Sequence, residues 1–277
     1  MSRKLTPKPI DASFFDARDD TVLAWTGMAG LLVNTRGTIL FVDPLIVASE
    51  RDDEQYSETG LRLLAPLPIE AKDVPRADVV MYTHAEDDHC GKATARVFEE
   101  NLQPTFFGPP PVFERLAEVG IDTSRRRIAR DFETQRFGDV AVTVTPALHD
   151  HDATNPWKRG DCVGYLIRTP DGSVWHPGDS RLIDELLAFR DVDVLLWDVT
   201  LDCPAHLCPP GSAALAKSAG AKTLLAYHYG TMEAPERGGL YERSLESDPD
   251  ASLPFLEGID APFLRLNPGE TLRLPLA

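Results

Sequence analysis

Apolar positions along this chain fall into short runs broken by glycine and proline, with few long helical stripes. TVLAWTG (Thr21 to Gly27), LLVNT (Leu31 to Thr35) and TILFVDP (Thr38 to Pro44) follow one another across Gly-containing turns, a spacing that predicts a β-meander. From Ile46 to Pro75 the chain becomes acidic and proline-punctuated with no sustained period, which predicts a long loop with at most one helical turn, placed to act as a lid. Strand and helix then alternate. ADVVMYTH (Ala77 to His84) is a buried-type strand, KATARVFEENL (Lys92 to Leu102) has helical spacing at Ala93, Val97 and Phe98, and PPVFERLAEVG (Pro110 to Gly120) has proline near the start and glycine at the end of a second helix.

The second half is richer in strands. DVAVTVTPALH sets Val140, Val142 and Val144 on one face, and CVGYLIRTPDGSVWHPGDS (Cys162 to Ser180) contains two runs joined by the turn signal Pro170-Asp171-Gly172. SRLIDELLAF predicts an amphipathic helix with Ser180 as N-cap, VDVLLWD (Val192 to Asp198) a buried strand, SAALAKSAG a helix ending at Gly220, and KTLLAYH (Lys222 to His228) another strand. A helix around Arg237 to Glu246 and two short runs, PFLRL and TLRLPL, hinged by Asn267-Pro268-Gly269, complete the pattern. No repeat or linker divides the chain, so the expectation is a single domain over residues 1–277.

Composition narrows the function. With 43% apolar and 8% aromatic residues the chain can build a sizeable core. The net charge of −16, from 28 basic and 44 acidic residues, argues against phosphate-backbone tracking and for a small-molecule substrate instead of nucleic acid. No run reaches the roughly 18 apolar residues of a membrane helix, and the N-terminus has no apolar signal core, so no membrane partner and a cytoplasmic location are expected. The four cysteines, Cys90, Cys162, Cys203 and Cys208, are scattered, which predicts free thiols in a reducing compartment. Self-association into a homo-oligomer is left open.

The chemistry concentrates at strand ends. His84, Glu86, Asp87, Asp88 and His89 crowd into MYTHAEDDHC, and His149, Asp179 and His228 each follow a strand as well. Packed carboxylates repel one another and raise one another's pKa unless a cation intervenes, and imidazole and carboxylate are the donors a divalent ion takes at about 2.0 to 2.2 Å. A plainer account of the first cluster is a helix N-terminus capped by Asp87 or Asp88. Four strand ends carrying ligand types are hard to explain by capping, because loops at the strand ends of a layered α/β domain converge on one rim.

In these residues the chain resembles the metallo-β-lactamase fold superfamily: His84-x-Glu86-x-Asp88-His89, His149 in TPALH, Asp179 in HPGDS and His228 in AYHYG follow its ordered metal motifs, after an opening meander ending in Asp-Pro. Within it, the chain looks most like the L-ascorbate-6-phosphate lactonase branch. The resemblance implies a four-layer αββα sandwich and a two-metal centre, with His84, residue 86 and His149 on one ion, Asp88, His89 and His228 on the other, and Asp179 bridging. Glu86 departs from the commoner histidine. Its carboxylate adds charge and hardness, shifting preference from zinc toward manganese or iron and leaving open one ion or two, with Glu86 as ligand or as acid/base.

His149 and His151 compete for one role; His149 directly follows the strand and matches the motif, leaving His151 to support the ligands or to face substrate. His176 is expected to be a packed strand residue, Cys90 a packing residue, and CPAHLC (Cys203 to Cys208) an irregular loop with no metal. Trp157, Lys158 and Arg159 in NPWKRGD, together with Arg181 and Tyr229, are candidates for contact with an anionic substrate. No P-loop, dinucleotide or Gly-x-Ser-x-Gly signature occurs. The resulting expectation is a hydrolase that activates water with a metal and attacks a small anionic ester-like substrate, a lactone first, with Asp88 or Glu86 moving the proton. A phosphodiesterase of the same fold and a non-catalytic metal-binding protein are the alternatives.

Overall fold

The computed structural model describes residues 5–150, 157–200, 205–233 and 249–276. Two seven-stranded mixed sheets stack face to face. The first runs, in spatial order, through Thr271–Leu274, Thr21–Gly27, Gly30–Thr35, Thr38–Val42, Val79–Met81, Thr105–Gly108 and Arg126–Ile128. The second runs through Thr134–Phe137, Val140–Pro146, Val163–Thr169, Gly172–His176, Val194–Asp198, Thr223–Tyr227 and Phe263–Leu264.

Period-two alternation decides which layer each side chain joins. Leu23, Trp25, Leu31, Val33, Leu40, Val42, Val79 and Met81 point into the core between the sheets, where Val140, Val142 and Val144 meet them. The intervening Val22, Ala24, Leu32, Ile39, Phe41, Val80 and Tyr82 face outward, into a second core with the buried faces of helix α1 (Lys92–Asn101) and helix α2 (Pro110–Arg115). Helix α3 (Cys208–Ala219) buries Leu215, Ala216 and Ala219 against the second sheet and ends, as expected, on Gly220 at φ 62°. The layers are therefore α, β, β, α, the metallo-β-lactamase fold.

Topology positions the site. Thr38–Val42, Val79–Met81 and Thr105–Gly108 are parallel in one sheet, and Gly172–His176, Val194–Asp198 and Thr223–Tyr227 are parallel in the other. Parallel strands bring their carboxyl ends to the same edge, so the residues that follow them gather there.

Four expectations are corrected. The stretch from Ile46 to Pro75 is not a loop: Ala48–Arg51, Glu54–Ser57 and Arg62–Leu63 form a small antiparallel sheet, joined by Met232–Glu233, with one 3₁₀ turn at Ala71–Asp73. Its strands are two to four residues long and largely polar, too short to show a period. SRLIDELLAF yields only a 3₁₀ turn over Asp184–Ala188, because Ser180 is engaged elsewhere: its hydroxyl accepts from Leu148 N and donates to Arg181 O. The two C-terminal runs do not pair with each other; Phe263–Leu264 joins one sheet and Thr271–Leu274 the other. A disulfide at Cys208 overturns the expectation of four free thiols, although Cys90 and Cys162 are free and buried. The helix expected around Arg237 to Glu246 lies outside the described residues.

Candidate metal centre

The rim formed by the parallel strand ends collects seven of the predicted donors. Val79–Met81 leads into the turn that carries His84, Glu86, Asp88 and His89; Val140–Pro146 leads to His149, Gly172–His176 to Asp179, and Thr223–Tyr227 to His228. Donor atoms of His84, Glu86 and His149 lie within 4.8 Å of one another, as do those of Asp88, His89 and His228, and those of His84, His89 and Asp179. All seven side chains are buried except Glu86, which is partly exposed.

Local hydrogen bonding explains why the chain folds this way. In the first turn, Glu86 O accepts from His89 N at 3.2 Å and from Cys90 N at 2.8 Å, which folds the four donors onto one side. Asp87 points away, paired with Arg115 at 2.6 Å, and Arg115 also holds Cys90 O. Neither Asp87 nor Asp88 caps α1, whose N-cap is Gly91. Glu58, in the turn after Glu54–Ser57, accepts instead from the backbone N–H of Ala93 and Thr94 and from the Thr94 hydroxyl. On the opposite side, Arg181 N donates to Leu148 O and Ser180 receives Leu148 N, so His149 is held beside Asp179. Gly178, at φ 66°, makes the turn into Asp179; a Cβ there would come within 2.4 Å of Val163 O.

The imidazoles are oriented by what their outer nitrogens touch. His89 Nδ1 lies 2.8 Å from Asp43 Oδ2, and His149 Nδ1 lies 3.1 Å from Ala205 O; both partners only accept, so both Nδ1 atoms carry the proton. Thr83 donates its hydroxyl to Asp43 at 2.6 Å and therefore accepts from His84 Nδ1 at 3.0 Å. His228 Nδ1 lies 3.1 Å from the Thr200 hydroxyl. Every one of these rings consequently turns Nε2 inward. His89 Nε2 stands 3.0 Å from Asp179 Oδ2, His228 Nε2 3.2 Å from the same oxygen and 3.6 Å from Asp88 Oδ2, and His149 Nε2 3.4 Å from Glu86 Oε1.

These separations bracket the roughly 3.4 Å between donors of a four-coordinate ion with bonds of about 2.1 Å. His84 Nε2, Asp88 Oδ1 and Asp179 Oδ1 are buried without a hydrogen-bond partner among the described residues, a costly state for polar atoms unless something else engages them. The residues fit a divalent cation.

Electrostatics point the same way. Burial lowers His84, and the charge of His89 adds to the effect, so this ring stays neutral. Burial also opposes protonation of His149 and His228, but Glu86 and Asp179 outweigh it and push them up to about 9 and about 10. Asp88 is held below the ordinary carboxylate range: burial opposes this, and the charge of His89 and the hydrogen bond from His228 prevail. Without a cation, protons balance the carboxylates; a cation would displace them.

The remaining candidates separate. Trp157 joins the rim, donating its indole N–H to Glu86 Oε1 at 2.8 Å. Lys158 is exposed, Arg159 pairs with Glu185 at 2.7 Å and Arg181 with Asp150 at 3.0 Å. Tyr229 is buried in the core, stacked on Trp25 at 4.7 Å, with its hydroxyl on Leu266 O. His151 lies outside the described residues. His176 is packed as expected, bonded to Ala29 O at 2.8 Å.

Sequence reasoning missed Asp43, Thr83, Thr200, Asp198 and His206. His206 is buried, with Nδ1 3.4 Å from Asp198 Oδ2 and 3.7 Å from Asp179 Oδ2, and its donor atom groups with those of His149 and Asp179. The signal for Asp43 and Asp198 was available, since both stand at the ends of parallel strands; His206 lies in CPAHLC, whose donors were visible in sequence but were expected to hold no metal, and the fold brings it beside His149 and Asp179.

Comparison with known proteins defines the class. Residues 50–229 match the Beta-lactamase superfamily domain, and the chain belongs to that family. A UPF0173 metal-dependent hydrolase of Pyrobaculum aerophilum is 27% identical over 270 residues, covering 91% of this chain and 99% of that protein. Among solved structures, Igni18, a metallo hydrolase from Ignicoccus hospitalis, has a TM-score of 0.62 at 19% identity, covering 93% of this chain and 99% of that one. CmlA, a diiron β-hydroxylase from Streptomyces venezuelae, has a TM-score of 0.70 at 18% identity, covering 93% of this chain and 55% of that one.

Proposed function

We propose that the protein is a metal-dependent hydrolase acting on a small anionic ester-like substrate, with a lactone as first choice, at a centre of one or two divalent ions. The observation that carries this is the convergence of four inward-turned Nε2 atoms on three carboxylates. His84, Glu86 and His149 would hold one ion, Asp88, His89 and His228 the other, and Asp179 would be shared. The name carried by the Pyrobaculum relative agrees with the reaction class. Glu86 favours manganese or iron over zinc, since a carboxylate in place of an imidazole suits harder ions.

A bound ion of this kind supplies Lewis acidity, polarising the substrate oxygen and lowering the pKa of water to about 7. The chain does the rest. Asp88 Oδ1, buried and unpartnered among the described residues, is placed to receive a proton from the attacking water and pass it to the leaving oxygen, and its neighbours hold it ionised. Asp43 and Thr83 keep His89 and His84 in the tautomers that leave Nε2 lone pairs inward.

A phosphodiester is the second substrate class, favoured by His206, which adds an imidazole beside Asp179 where a phosphoryl oxygen needs a further hydrogen-bond donor. The test is metal analysis of protein purified without chelator, then turnover of lactone and phosphodiester panels with added manganese or zinc. Bound metal and metal-dependent turnover lost in Asp179→Ala are expected. Metal binding without turnover on either panel would make it a non-catalytic metal-binding protein, and the proposal would fall.

A further inference from the structure

Glu86 raises a question of control. A carboxylate has two oxygens and rotates freely about its last bond, so a glutamate in place of an imidazole can hold an ion through one oxygen, through both, or swing away as an acid or base. The imidazole rings of the centre are each fixed through Nδ1. Among the described residues, position 86 has a comparable restraint.

Trp157 supplies it. Its indole Nε1 donates to Glu86 Oε1 at 2.8 Å; the same Oε1 lies 3.4 Å from His149 Nε2, and Glu86 Oε2 faces His84 Nε2 at 3.7 Å. The indole is itself anchored: it is partly buried against the outer core and stands edge to face with His84, ring centres 6.5 Å apart. A tryptophan also suits the task chemically. Its N–H only donates, so it cannot compete for the ion as a histidine would, and it is neutral, so it does not repel the ion as lysine or arginine would.

We propose that Trp157 is a positioning residue that fixes the Glu86 carboxylate, holding Oε1 toward His149 and leaving Oε2 toward His84, so that Glu86 would serve the ion held with these two histidines as a ligand. This rests on the assignment of Glu86 to the metal centre under the proposed function. It makes Glu86 a fixed ligand and leaves proton transfer to Asp88. The same contact draws charge from the carboxylate without neutralising it, so an ion held there would keep more of its Lewis acidity than a free carboxylate would allow.

The test is a manganese titration of the metal-free protein, with free manganese read by electron paramagnetic resonance, on four proteins: wild type, Trp157→Phe, Glu86→His and the double variant. Phenylalanine keeps the aromatic ring and removes the donor. Trp157→Phe should weaken the ion held with Glu86 by roughly tenfold to a hundredfold, the range for a residue that orients a ligand, and leave the other ion within about twofold. In the Glu86→His background the same change should have almost no effect, because no carboxylate remains to be locked. An equal loss in both backgrounds would reduce Trp157 to packing, and no loss in either would remove it from the centre; each overturns the proposal. A Glu86→Ala variant separates the two levels: unchanged manganese binding there would sink the metal assignment itself, whereas loss of one ion beside an unaffected Trp157→Phe would sink only the role of Trp157.

Should Trp157→Phe fail to fold by circular dichroism, the wild type still decides. The protein has four tryptophans, and the indoles of Trp25, Trp175 and Trp197 bond to Met28 O, Thr145 Oγ1 and Ser252 Oγ. On adding diamagnetic zinc to ¹⁵N-labelled protein, the Trp157 indole resonance should shift while those three stay in place. A Trp157 signal that does not move would overturn the proposal.

Discussion

The two donor groups of the rim are built differently. Asp88, His89 and His228 are all buried, whereas the group of His84, Glu86 and His149 opens at Glu86, whose side chain is 19% exposed. The enclosed group is held by strand-end residues: Asp43 receives His89, and Thr200 meets His228. The open group leans on loops, through Ala205 O on His149 and Trp157 on Glu86. The difference shows where this centre can accept an extra carboxylate. Near solvent a further negative charge is screened and its desolvation is incomplete, while in the enclosed group it would be paid in full.

Asp179 belongs to both groups, so Asp179→Asn is the sharpest way to break the comparison. Its Oδ2 lies 3.0 Å from His89 Nε2 and 3.2 Å from His228 Nε2, and it shares a donor cluster with His84 and another with His149. Losing the shared carboxylate should drop turnover by at least about 10³-fold, as for groups that act as a unit, and reduce metal content at both positions. Elemental analysis beside steady-state assay checks it; loss of metal from one group alone would show that Asp179 is not shared.

Asp43→Asn should act on one side only. An amide cannot accept from Thr83 N, the Thr83 hydroxyl and His89 Nδ1 as the carboxylate does, so the enclosed group should lose roughly tenfold to a hundredfold in metal affinity. Binding at the open group should change far less, although His84 shares Thr83 with this network. Two-site metal titration distinguishes the effects. Equal loss at both groups would mean that the rim behaves as one unit.

The same contrast explains what the sequence made legible. His84, His149, Asp179 and His228 stood out because each ends a strand of clear apolar pattern, and parallel strands deliver their ends to one edge. Asp43 and Asp198 stood in equivalent places but were visible only as the ends of the strands TILFVDP and VDVLLWD, with no histidine beside them to suggest a donor cluster. Trp157 was visible as a candidate, but its hydrogen bond to Glu86, 71 residues away, depends on tertiary packing. Glu58 was hidden for a similar reason: it caps a helix 35 residues downstream, from a turn between polar strands that carry no period. Backbone strain was equally invisible. Asp43 and His228 sit at φ 45° and 66°, a region that ordinary side chains rarely adopt, and the fold imposes it to aim them.

Protonation offers a third test, milder in effect. His149 and His228 are lifted to about 9 and about 10, above the ordinary 6.5 of an unfolded chain, by their carboxylate partners. A raised pKa in the folded state stabilises in full below about 6.5, and that stabilisation disappears as pH rises through the folded values. The metal-free protein should therefore melt several degrees lower at pH 10 than at pH 7, whereas the metal-loaded protein, whose imidazoles are already deprotonated, should show a flatter profile. Thermal melts with and without chelator across that range check this; parallel profiles would mean that no proton is displaced by the ion.

Tyr229→Phe should have the smallest effect, and it separates core from centre. Tyr229 follows His228 directly, and by sequence it was a candidate for touching substrate. In the fold its ring stacks on Trp25 and its hydroxyl donates to Leu266 O at 2.9 Å, so the side chain joins the core between the sheets. Phenylalanine keeps the stack and leaves the Leu266 carbonyl without that donor, which should destabilise by about 1 kcal/mol and lower Tm by about 2 to 4 °C. Turnover and metal affinity should stay within about twofold, the limit for a change whose partners among the described residues, Trp25 and Leu266, lie outside the centre. A fall in kcat/KM without a matching fall in Tm would return Tyr229 to the substrate pocket and mean that the boundary between core and centre lies elsewhere.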